Sequence, residues 1–352
     1  MLDSSEGALW ERYDVAMLDL DGVVYVGPDA VPGAPAHLAD ARAAGLHLAY
    51  VTNNASRTPD TVAAHLRELG IDAEDGDVVT SAQAAARVLA GDLPEGAPVF
   101  VIGGEGLEVA LTEEGLRPVQ DAAEEPVAVV SGFHRDLRWS TVIDGAILVR
   151  AGLPWVASNT DMTVPTPDGP GPGNGALVRV VAEFADREPV VAGKPRPPLF
   201  EETLRRVGGS RPLVVGDRLD TDIEGANATG YDSLLVMTGV TDLGQLVSAR
   251  PELRPTYVAA DLGGLGRAHR QPEVDGKAVC AGGWRATVGD AGLEVGGDGD
   301  ADTWWQAVAT AAWRHLDATG EPVAVDGLTP PGSLDARPDD QDESQDEERE
   351  RP

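Results

Sequence analysis

The stretch Val15-Ala-Met-Leu-Asp-Leu-Asp-Gly-Val-Val24 decides the fold of this chain. Its apolar start leads into two carboxylates, Asp19 and Asp21, and a glycine. Such a run predicts a buried strand of a parallel sheet. Buried carboxylates are costly without a cation or hydrogen bonds, and the carboxyl ends of parallel strands face the crevice in which open α/β sheets bind ligands. Asp19 and Asp21 are therefore candidate site residues. The alternative is a pair of N-cap aspartates in a strand-to-helix turn.

Polar side chains also follow three other predicted strands. They are Thr52, Asn53 and Asn54 after the strand that begins at His47, Lys194 after Val190 and Val191, and Asp217, with Asp222 in the turn beyond it. Because the carboxyl ends of parallel strands meet at one edge of a sheet, these groups are expected near Asp19. The hydroxyl and amides after the second strand either form a turn or converge on the same crevice.

The charge of the chain limits its partners. The net charge is −32, and the only lysines among 27 basic residues are Lys194 and Lys277. Such a field repels nucleic acid and anionic membranes. It also repels phosphate esters, so any phosphate site must be locally cationic, through a metal ion or a specific lysine. Lys194 is the candidate for that lysine because of its position at a strand end.

The sequence also predicts a cytoplasmic protein. Cys280 is the single cysteine, which excludes an intrachain disulfide and fits a reducing compartment. No stretch approaches the roughly 18 apolar residues of a membrane helix. The segment from Met1 to Asp14 lacks a basic region followed by an apolar one, so no signal peptide is visible. We expect no membrane and no nucleic acid partner.

Alternating strand and helix patterns predict two α/β units and a smaller α+β unit. The predicted parts are a catalytic core over 1–80 and 187–262, an inserted cap over 81–186, an accessory unit over 263–330 and a disordered acidic tail over 331–352. A polar linker is expected over 263–273. The segment 165–175, rich in proline and glycine, is expected to be a loop that either approaches a ligand closely or lies flexibly on the surface.

The accessory unit is rich in tryptophan. A hairpin is predicted over 283–295, a helix over 302–317 with an apolar stripe that includes Trp304 and Trp313, and a last strand over 323–325. The stripe either packs on a neighbouring surface or binds a cofactor. The acids at 298, 300 and 302 mimic the start of a calcium loop, but Thr303 and Ala309 stand where that loop needs glycine and glutamate.

The four strand ends together resemble the haloacid dehalogenase (HAD) superfamily phosphatases with a class IIA cap. This group includes the NagD-like, phosphoglycolate, glycerol phosphate and nitrophenyl phosphatases. The matching motifs are Asp19-Leu-Asp-Gly-Val, Thr52-Asn-Asn, Gly193-Lys-Pro and Gly216-Asp-Arg-Leu-Asp-Thr-Asp222. The cap segments Ala157-Ser-Asn-Thr-Asp-Met-Thr-Val-Pro165 and Pro172-Gly-Asn-Gly-Ala176 are similar to that subgroup as well. The resemblance covers about Tyr13 to Asp261 and implies a Rossmann-like core with a parallel sheet.

By this resemblance, the chain hydrolyses phosphate esters with Mg²⁺. Asp19 is the implied nucleophile that forms an aspartyl-phosphate, and Asp21 is the general acid and base. Asp19 and Asp217 are the expected side-chain ligands of Mg²⁺, with the backbone carbonyl of Asp21. Asp222 supports the metal directly or through water. The carboxylate of Asp21 favours phosphate-ester hydrolysis over cleavage of C–Cl or C–P bonds, since the dehalogenases and phosphonatases lack it.

The same resemblance assigns the substrate contacts. Thr52 and Asn53 are expected to hold phosphoryl oxygens beside Asn54, and Lys194 to neutralise the nucleophile and the phosphoryl group together. In the cap, Asn159 and Asp161 are expected to bind substrate hydroxyls. Gly173 to Gly175 would line the leaving-group pocket.

The cap departs from the family pattern at one position. Gly132-Phe-His134 stands where the family often has an aspartate. His134 either adds a titratable group to the cap or is a surface histidine at a turn.

A cap that covers the active site favours small phosphorylated metabolites. Our best substrate prediction is glycerol 3-phosphate. Phosphoglycolate, sugar phosphates, pyridoxal phosphate and nucleotides are alternatives. A protein of another class, a metal-bound sensor that acts through its accessory unit, is the second hypothesis. A homo-oligomer through the cap or the C-terminal unit is possible.

Overall fold

The computed structural model describes residues 1–166 and 169–331, and a six-stranded parallel sheet forms its centre. In spatial order the strands of this core sheet are Tyr257–Ala259, Asp232–Val236, Pro212–Gly216, Val15–Leu18, His47–Thr52 and Val78–Thr80. The strand Val15–Leu18 is fully buried and pairs with a neighbour on each side, which makes it the topological switch point of the sheet. This order brings three of the predicted strand ends side by side.

Helices flank the core sheet. They are Leu9–Arg12, Ala34–Ala43, Pro59–Glu68, Pro197–Val207, Glu224–Thr229 and Leu243–Val247. A short antiparallel pair, Tyr25–Val26 with Asp29–Ala30, follows the first strand. One π-helical turn, Leu219–Ile223, follows the strand Pro212–Gly216. The remaining turns are the 3₁₀ segments Asp75–Asp77, Ala122–Glu124, Pro251–Leu253 and Leu262–Gly266.

The cap is a second α/β unit with its own five-stranded parallel sheet. Its strands in spatial order are Val190–Val191, Trp155–Ala157, Ala128–Ser131, Pro98–Ile102 and Arg117–Val119, and its helices are Ser81–Asp92, Glu105–Glu113, Trp139–Arg150 and Asn174–Ala185. We predicted that the core resumed at 187, but Val190–Val191 pairs with Trp155–Ala157 in the cap sheet. The chain therefore leaves the cap only just before Lys194.

The accessory unit is a four-stranded antiparallel sheet with one long helix. The strands are Glu273–Asp275, Ala278–Ala281, Trp284–Gly289 and Gly292–Gly297. The helix, Ala301–Thr319, buries Trp304, Trp305 and Trp313 in one apolar cluster with core residues such as Leu235, Leu246 and Val258. The tryptophan stripe thus packs on the catalytic core. The predicted α/β fold with a parallel sheet, an α/β cap and an α+β unit is confirmed.

Three local predictions are wrong. The expected loop 165–175 contains an antiparallel pair, Thr163–Thr166 with Gly169–Pro172, and the next helix already begins at Asn174. The expected linker 263–273 starts inside the buried turn Leu262–Gly266. The segment 323–325 forms no strand within the described structure, although its Ala324 carbonyl accepts a hydrogen bond from Leu293. The predicted disordered tail lies, apart from Pro331, outside the described residues.

Candidate active site

Lys194 lies between two carboxylates at the switch point of the core sheet. Its Nζ is 2.6 Å from Asp19 Oδ1 and 2.8 Å from Asp222 Oδ1. It also donates a hydrogen bond of 3.3 Å to the Val51 carbonyl. Only 3% of Lys194 is exposed, so its charge is compensated by these anions and not by water. The predicted pairing of Lys194 with the candidate nucleophile is present in the structure.

Three carboxylates can hold a cation beside this lysine. One oxygen each from Asp19, Asp217 and Asp222 lies within 4.8 Å of the others. Asp217 Oδ2 accepts a hydrogen bond of 2.6 Å from the Val240 amide, whereas its buried Oδ1 has no hydrogen-bond partner within the described part of the chain. A buried carboxylate oxygen without a partner costs free energy unless a cation satisfies it. These residues therefore fit a hard divalent cation with oxygen ligands.

The ionisation of the site follows from this crowding. Burial, together with repulsion from Asp19 and Asp222, raises the pKa of Asp217 to about 7. Burial also raises the pKa of Asp222, although Lys194 opposes that shift. For Lys194, burial alone would lower the pKa, but attraction by the two neighbouring carboxylates more than offsets it, and the pKa is raised. The lysine is therefore a permanent cation, and the carboxylates carry more negative charge than one lysine neutralises.

Asp21 lies two residues beyond Asp19. The residue is exposed, yet desolvation by the surrounding protein and the proximity of Asp19 raise the pKa of its side chain to about 6. A carboxyl group whose pKa is close to the working pH can both donate and accept a proton. The N-cap alternative for Asp19 and Asp21 is wrong, because the next helix begins only at Ala34.

The segment after the second strand contributes one hydroxyl and two amides. Thr52 is buried, and its Oγ1 accepts a hydrogen bond of 3.0 Å from the Asn54 amide, which leaves the hydroxyl hydrogen for an acceptor in the cleft. Asn54 Oδ1 accepts hydrogen bonds from the amide and the hydroxyl of Ser56, so it shapes the loop. Asn53 bonds to Lys194 and to the cap. Binding of substrate by these three side chains stays a prediction.

The predicted cap residues also come to this cleft. Asn159 Nδ2 donates a hydrogen bond of 2.6 Å to the Asn53 carbonyl, and Asp161 accepts one of 3.1 Å from Asn53 Nδ2. Gly173 and Gly175 pack against the backbone around Asp161, where a Cβ at Gly173 would clash with the Asp161 carbonyl. Burial raises the pKa of Asp161, and Asn53 and Arg218 oppose that shift.

His134 packs against Gly104 in the cap.

Sequence reasoning missed several residues of the site. Ser81 Oγ donates to the Asn53 carbonyl, and Asn174 Nδ2 donates to the Asn159 carbonyl. Arg57 is exposed and close enough to Asp21 to oppose the rise of its pKa. Glycine and asparagine are ordinary turn residues, so the Gly-Asn-Gly sequence around Asn174 carried no local signal of a buried role.

This fold and this site define a class of enzyme. A candidate carboxylate nucleophile, a buried lysine and a set of acids that fits a cation, at the switch point of a parallel sheet and next to an α/β cap, are typical of a capped phosphoryl-transfer enzyme.

Comparison with known proteins specifies the family. The model of the haloacid dehalogenase-like hydrolases matches residues 16–117, and a HAD-hydrolase-like model matches residues 191–265. The chain is 42% identical over 327 residues to the D-glycerol 3-phosphate phosphatase of Mycobacterium tuberculosis, a match that covers 90% of this chain and 91% of the relative. It is 36% identical over 254 residues to an acid sugar phosphatase of Staphylococcus aureus, which covers 72% of this chain and 96% of the relative.

A solved structure agrees with these matches. The glycerol phosphate phosphatase of Mycobacterium tuberculosis in complex with magnesium superposes with a TM-score of 0.80 at 43% identity, covering 88% of this chain and 92% of that one. The chain belongs to the haloacid dehalogenase-like hydrolase family, and the family predicted from the four motifs is confirmed.

Proposed function

We propose that this protein is a Mg²⁺-dependent phosphatase of small phosphorylated metabolites, with glycerol 3-phosphate as its substrate. The observation that carries the activity is the buried Lys194 between Asp19 and Asp222, beside the unpaired oxygen of Asp217. The substrate is supported by the name of the Mycobacterium tuberculosis relative at 42% identity over 90% of this chain. The acid sugar phosphatase relative makes a sugar phosphate the second candidate substrate.

The proposed reaction has two steps. Asp19 attacks phosphorus, the bond from phosphorus to the leaving oxygen breaks, and Asp21 gives its proton to that oxygen, which leaves as the alcohol. A water molecule then attacks the aspartyl-phosphate, Asp21 takes its proton, and phosphate leaves with Asp19 restored. Lys194 and the hydroxyl of Thr52 hold the phosphoryl oxygens. We also propose that Asn53 and Asn54 shape this phosphoryl-binding site.

Asp19, Asp217 and the backbone carbonyl of Asp21 would hold Mg²⁺, with Asp222 in support. The ion supplies charge neutralisation that lets one anion approach another. This is needed here because the chain carries a net charge of −32, and Lys194 alone does not balance the local acids.

The test of the reaction uses two variants and a control. Asp19→Asn should abolish turnover of glycerol 3-phosphate with Mg²⁺, since no covalent route remains. Asp21→Asn should lower the rate by about 10² or more, the scale of general acid–base catalysis. Asp144→Asn, an exposed cap acid, should behave as wild type. Activity of Asp19→Asn within about tenfold of wild type would refute the assignment of the nucleophile.

The substrate is tested by a panel of phosphate esters. Wild-type protein with Mg²⁺ is assayed on glycerol 3-phosphate, phosphoglycolate, sugar phosphates, pyridoxal phosphate and nucleotides, and kcat/KM is compared. We expect the highest kcat/KM for glycerol 3-phosphate. A higher value for a sugar phosphate would leave the phosphatase assignment intact and replace the substrate.

We also propose a homo-oligomer that forms through the cap. Trp139, Ile143 and Ile147 follow one another at four-residue spacing on the helix Trp139–Arg150, and all three are exposed. A contiguous exposed apolar patch marks an interaction site. In the accessory unit the tryptophans of the long helix are buried on the core instead. Light scattering of Ile143→Lys should report a smaller species than wild type, and an unchanged mass would contradict the cap interface.

The remaining proposals concern organisation and location. We propose a catalytic core over 1–80 and 192–262, a cap over 81–191 and an accessory unit over 263–330, supported by their separate sheets and by the pairing of Val190–Val191 within the cap sheet. We propose a cytoplasmic location, supported by the lone Cys280. Over the described ranges, helices long and apolar enough to cross a bilayer are absent.

A further inference from the structure

The side chain of Asn53 pairs with the backbone of Lys194. The Lys194 amide donates a hydrogen bond of 2.8 Å to Asn53 Oδ1, and Asn53 Nδ2 donates one of 3.1 Å to the Lys194 carbonyl. The side-chain amide of Asn53 thus pairs with both the N–H and the C=O of Lys194, as the backbone of a neighbouring β-strand would. At Gly193, a Cβ would lie 2.5 Å from Asn53 Oδ1, so the backbone approaches this amide as closely as glycine allows. Asn53 therefore fixes the peptide from which the Lys194 side chain reaches Asp19.

The cap in turn holds Asn53. Asn159 Nδ2 donates a hydrogen bond of 2.6 Å to the Asn53 carbonyl, and both carboxylate oxygens of Asp161 accept from Asn53 Nδ2, at 3.1 and 3.3 Å. Asn159 Oδ1 accepts a hydrogen bond of 3.1 Å from the Asp161 amide, which joins the two cap residues. These contacts connect residues that are more than a hundred positions apart in the chain.

Further cap groups hold Asn159 and Asp161 in turn. Asn174 Nδ2 donates a hydrogen bond of 2.7 Å to the Asn159 carbonyl, and the Gly175 amide donates one of 2.8 Å to the Asp161 carbonyl. Asn159 and Asn174 are 4% and 2% exposed. Buried amide groups are in general hydrogen-bonded, but Asn174 Oδ1 has no partner among the described residues. Both ends of the Asn159 carboxamide are already used on Asn53 and Asp161, which leaves it poorly suited to bind a substrate hydroxyl.

We propose that Asn159 and Asp161 are positioning residues that act on Lys194 through Asn53, and that they do not bind the leaving group of the substrate. This inference rests on the proposed phosphatase function and replaces our expectation that the two residues bind substrate hydroxyls. The cap then has a part in every turnover, whichever ester is bound, because it holds the lysine against the nucleophile.

The two roles predict different dependence on the leaving group. Lys194 acts on the phosphoryl group, which all substrates share, so loss of its positioning lowers kcat by the same factor for every ester. A residue that binds a hydroxyl of the leaving group matters only for substrates with such a hydroxyl. Glycerol 3-phosphate has two hydroxyls and p-nitrophenyl phosphate has none, so this pair of substrates separates the two roles.

The experiment compares Asp161→Ala, Asn159→Ala and the control Asp144→Ala on both substrates with Mg²⁺. Misplacement of a catalytic group by a fraction of an ångström to 1 Å lowers the rate by about 10- to 100-fold. We expect kcat to fall by that factor equally for both substrates in the two positioning variants, with KM within about threefold of wild type. Asp161→Asn keeps one acceptor oxygen toward Asn53 and should recover part of the lost kcat. The control variant should match wild type.

Three results would overturn the inference. One is a loss confined to glycerol 3-phosphate, a second is a loss expressed in KM with kcat unchanged, and the third is wild-type kinetics in all variants. The Tm of each variant is measured and the assays are run well below it, so that only folded proteins are compared. If the alanine variants do not fold, Asp161→Asn replaces them in the comparison. Failure of wild-type protein to hydrolyse either ester would instead refute the proposed function.

Discussion

The substitution Lys194→Met tests the electrostatics of the site most directly. It keeps most of the apolar length of the side chain and removes the ammonium group that lies 2.6 Å from Asp19 and 2.8 Å from Asp222. Asp222 is fully buried, and Asp217 and Asp19 lie within the same cluster. The variant therefore leaves Asp19 and Asp222 without the ammonium group that pairs with both of them.

The size of the effect follows from burial. Removing one partner of a buried ion pair destabilises a protein by about 3–5 kcal/mol, because the other charge stays buried and unpaired. At about 2 °C per kcal/mol for a chain of this length, the Tm of metal-free protein should fall by about 6–10 °C. Added Mg²⁺ should narrow this difference, since a bound cation compensates the same carboxylates. Loss of a charge that stabilises the transferring phosphoryl group should lower kcat by at least about 10²–10³.

Lys277→Met is the matched control. Lys277 is the other lysine of the chain; it is exposed and forms no ion pair with any residue that the structure describes. Differential scanning fluorimetry in EDTA and in Mg²⁺, with a phosphate-release assay, measures both effects. An unchanged metal-free Tm for Lys194→Met would refute the conclusion that the acid cluster depends on the lysine for stability. Equal loss of activity in the two variants would contradict the argument from position.

Three further predictions concern stability and the approach of the cap. Burial lowers the pKa of His269, although its ring forms a hydrogen bond with a backbone carbonyl. Below a pH of about 6.5, the unfolded chain therefore takes up a proton that the folded chain does not. The free energy of unfolding consequently falls as the pH falls. His269→Gln should remove that part of the slope in urea unfolding between pH 7.5 and 5.5, whereas His315→Gln should keep it. Trp313→Ala should lower the free energy of unfolding in urea by about 3–5 kcal/mol, because Trp313 is 1% exposed and donates a hydrogen bond of 2.7 Å to a core carbonyl. The kcat of the folded variant should stay at the wild-type value. A large fall in kcat would mean that the helix takes part in catalysis. Gly193→Ala should lower kcat about tenfold or more, because its Cβ would lie 2.5 Å from two oxygen atoms, one of them in the cap, and full activity would show that the two units do not need this close approach.

The sequence predicted where three of the candidate site residues lie because each of them ends or directly follows an apolar strand of the core sheet. Asp19, Thr52 and Asp217 each come directly after or at the end of a strand with the composition of a parallel sheet, and parallel strands present their carboxyl ends at one edge. Local sequence thus predicts both the strand and the position of the polar group at its end. The family follows from the same residues.

The partners of Asn53 depended on tertiary structure. Its contacts are with residues 108 and 141 positions away, and no local pattern records which donor meets which acceptor across two domains. From the sequence alone, the side chains of Asn53 and Asp161 were both expected to bind the substrate. The fold brings them within hydrogen-bond distance of each other instead.

The accessory unit shows the same division. Its sequence determined a hairpin and an apolar helix, because turn residues and the spacing of tryptophans are local signals. The local sequence did not predict which surface of the protein covers Trp313. The docking also involves the pairs Arg254 with Asp317 at 2.7 Å and Arg267 with Asp302 at 2.5 Å, each of which links residues distant in the chain. Apolar periodicity fixes which face of a helix must be buried, but the surface that buries it is selected by shape and charge complementarity, and those exist only once the core has folded.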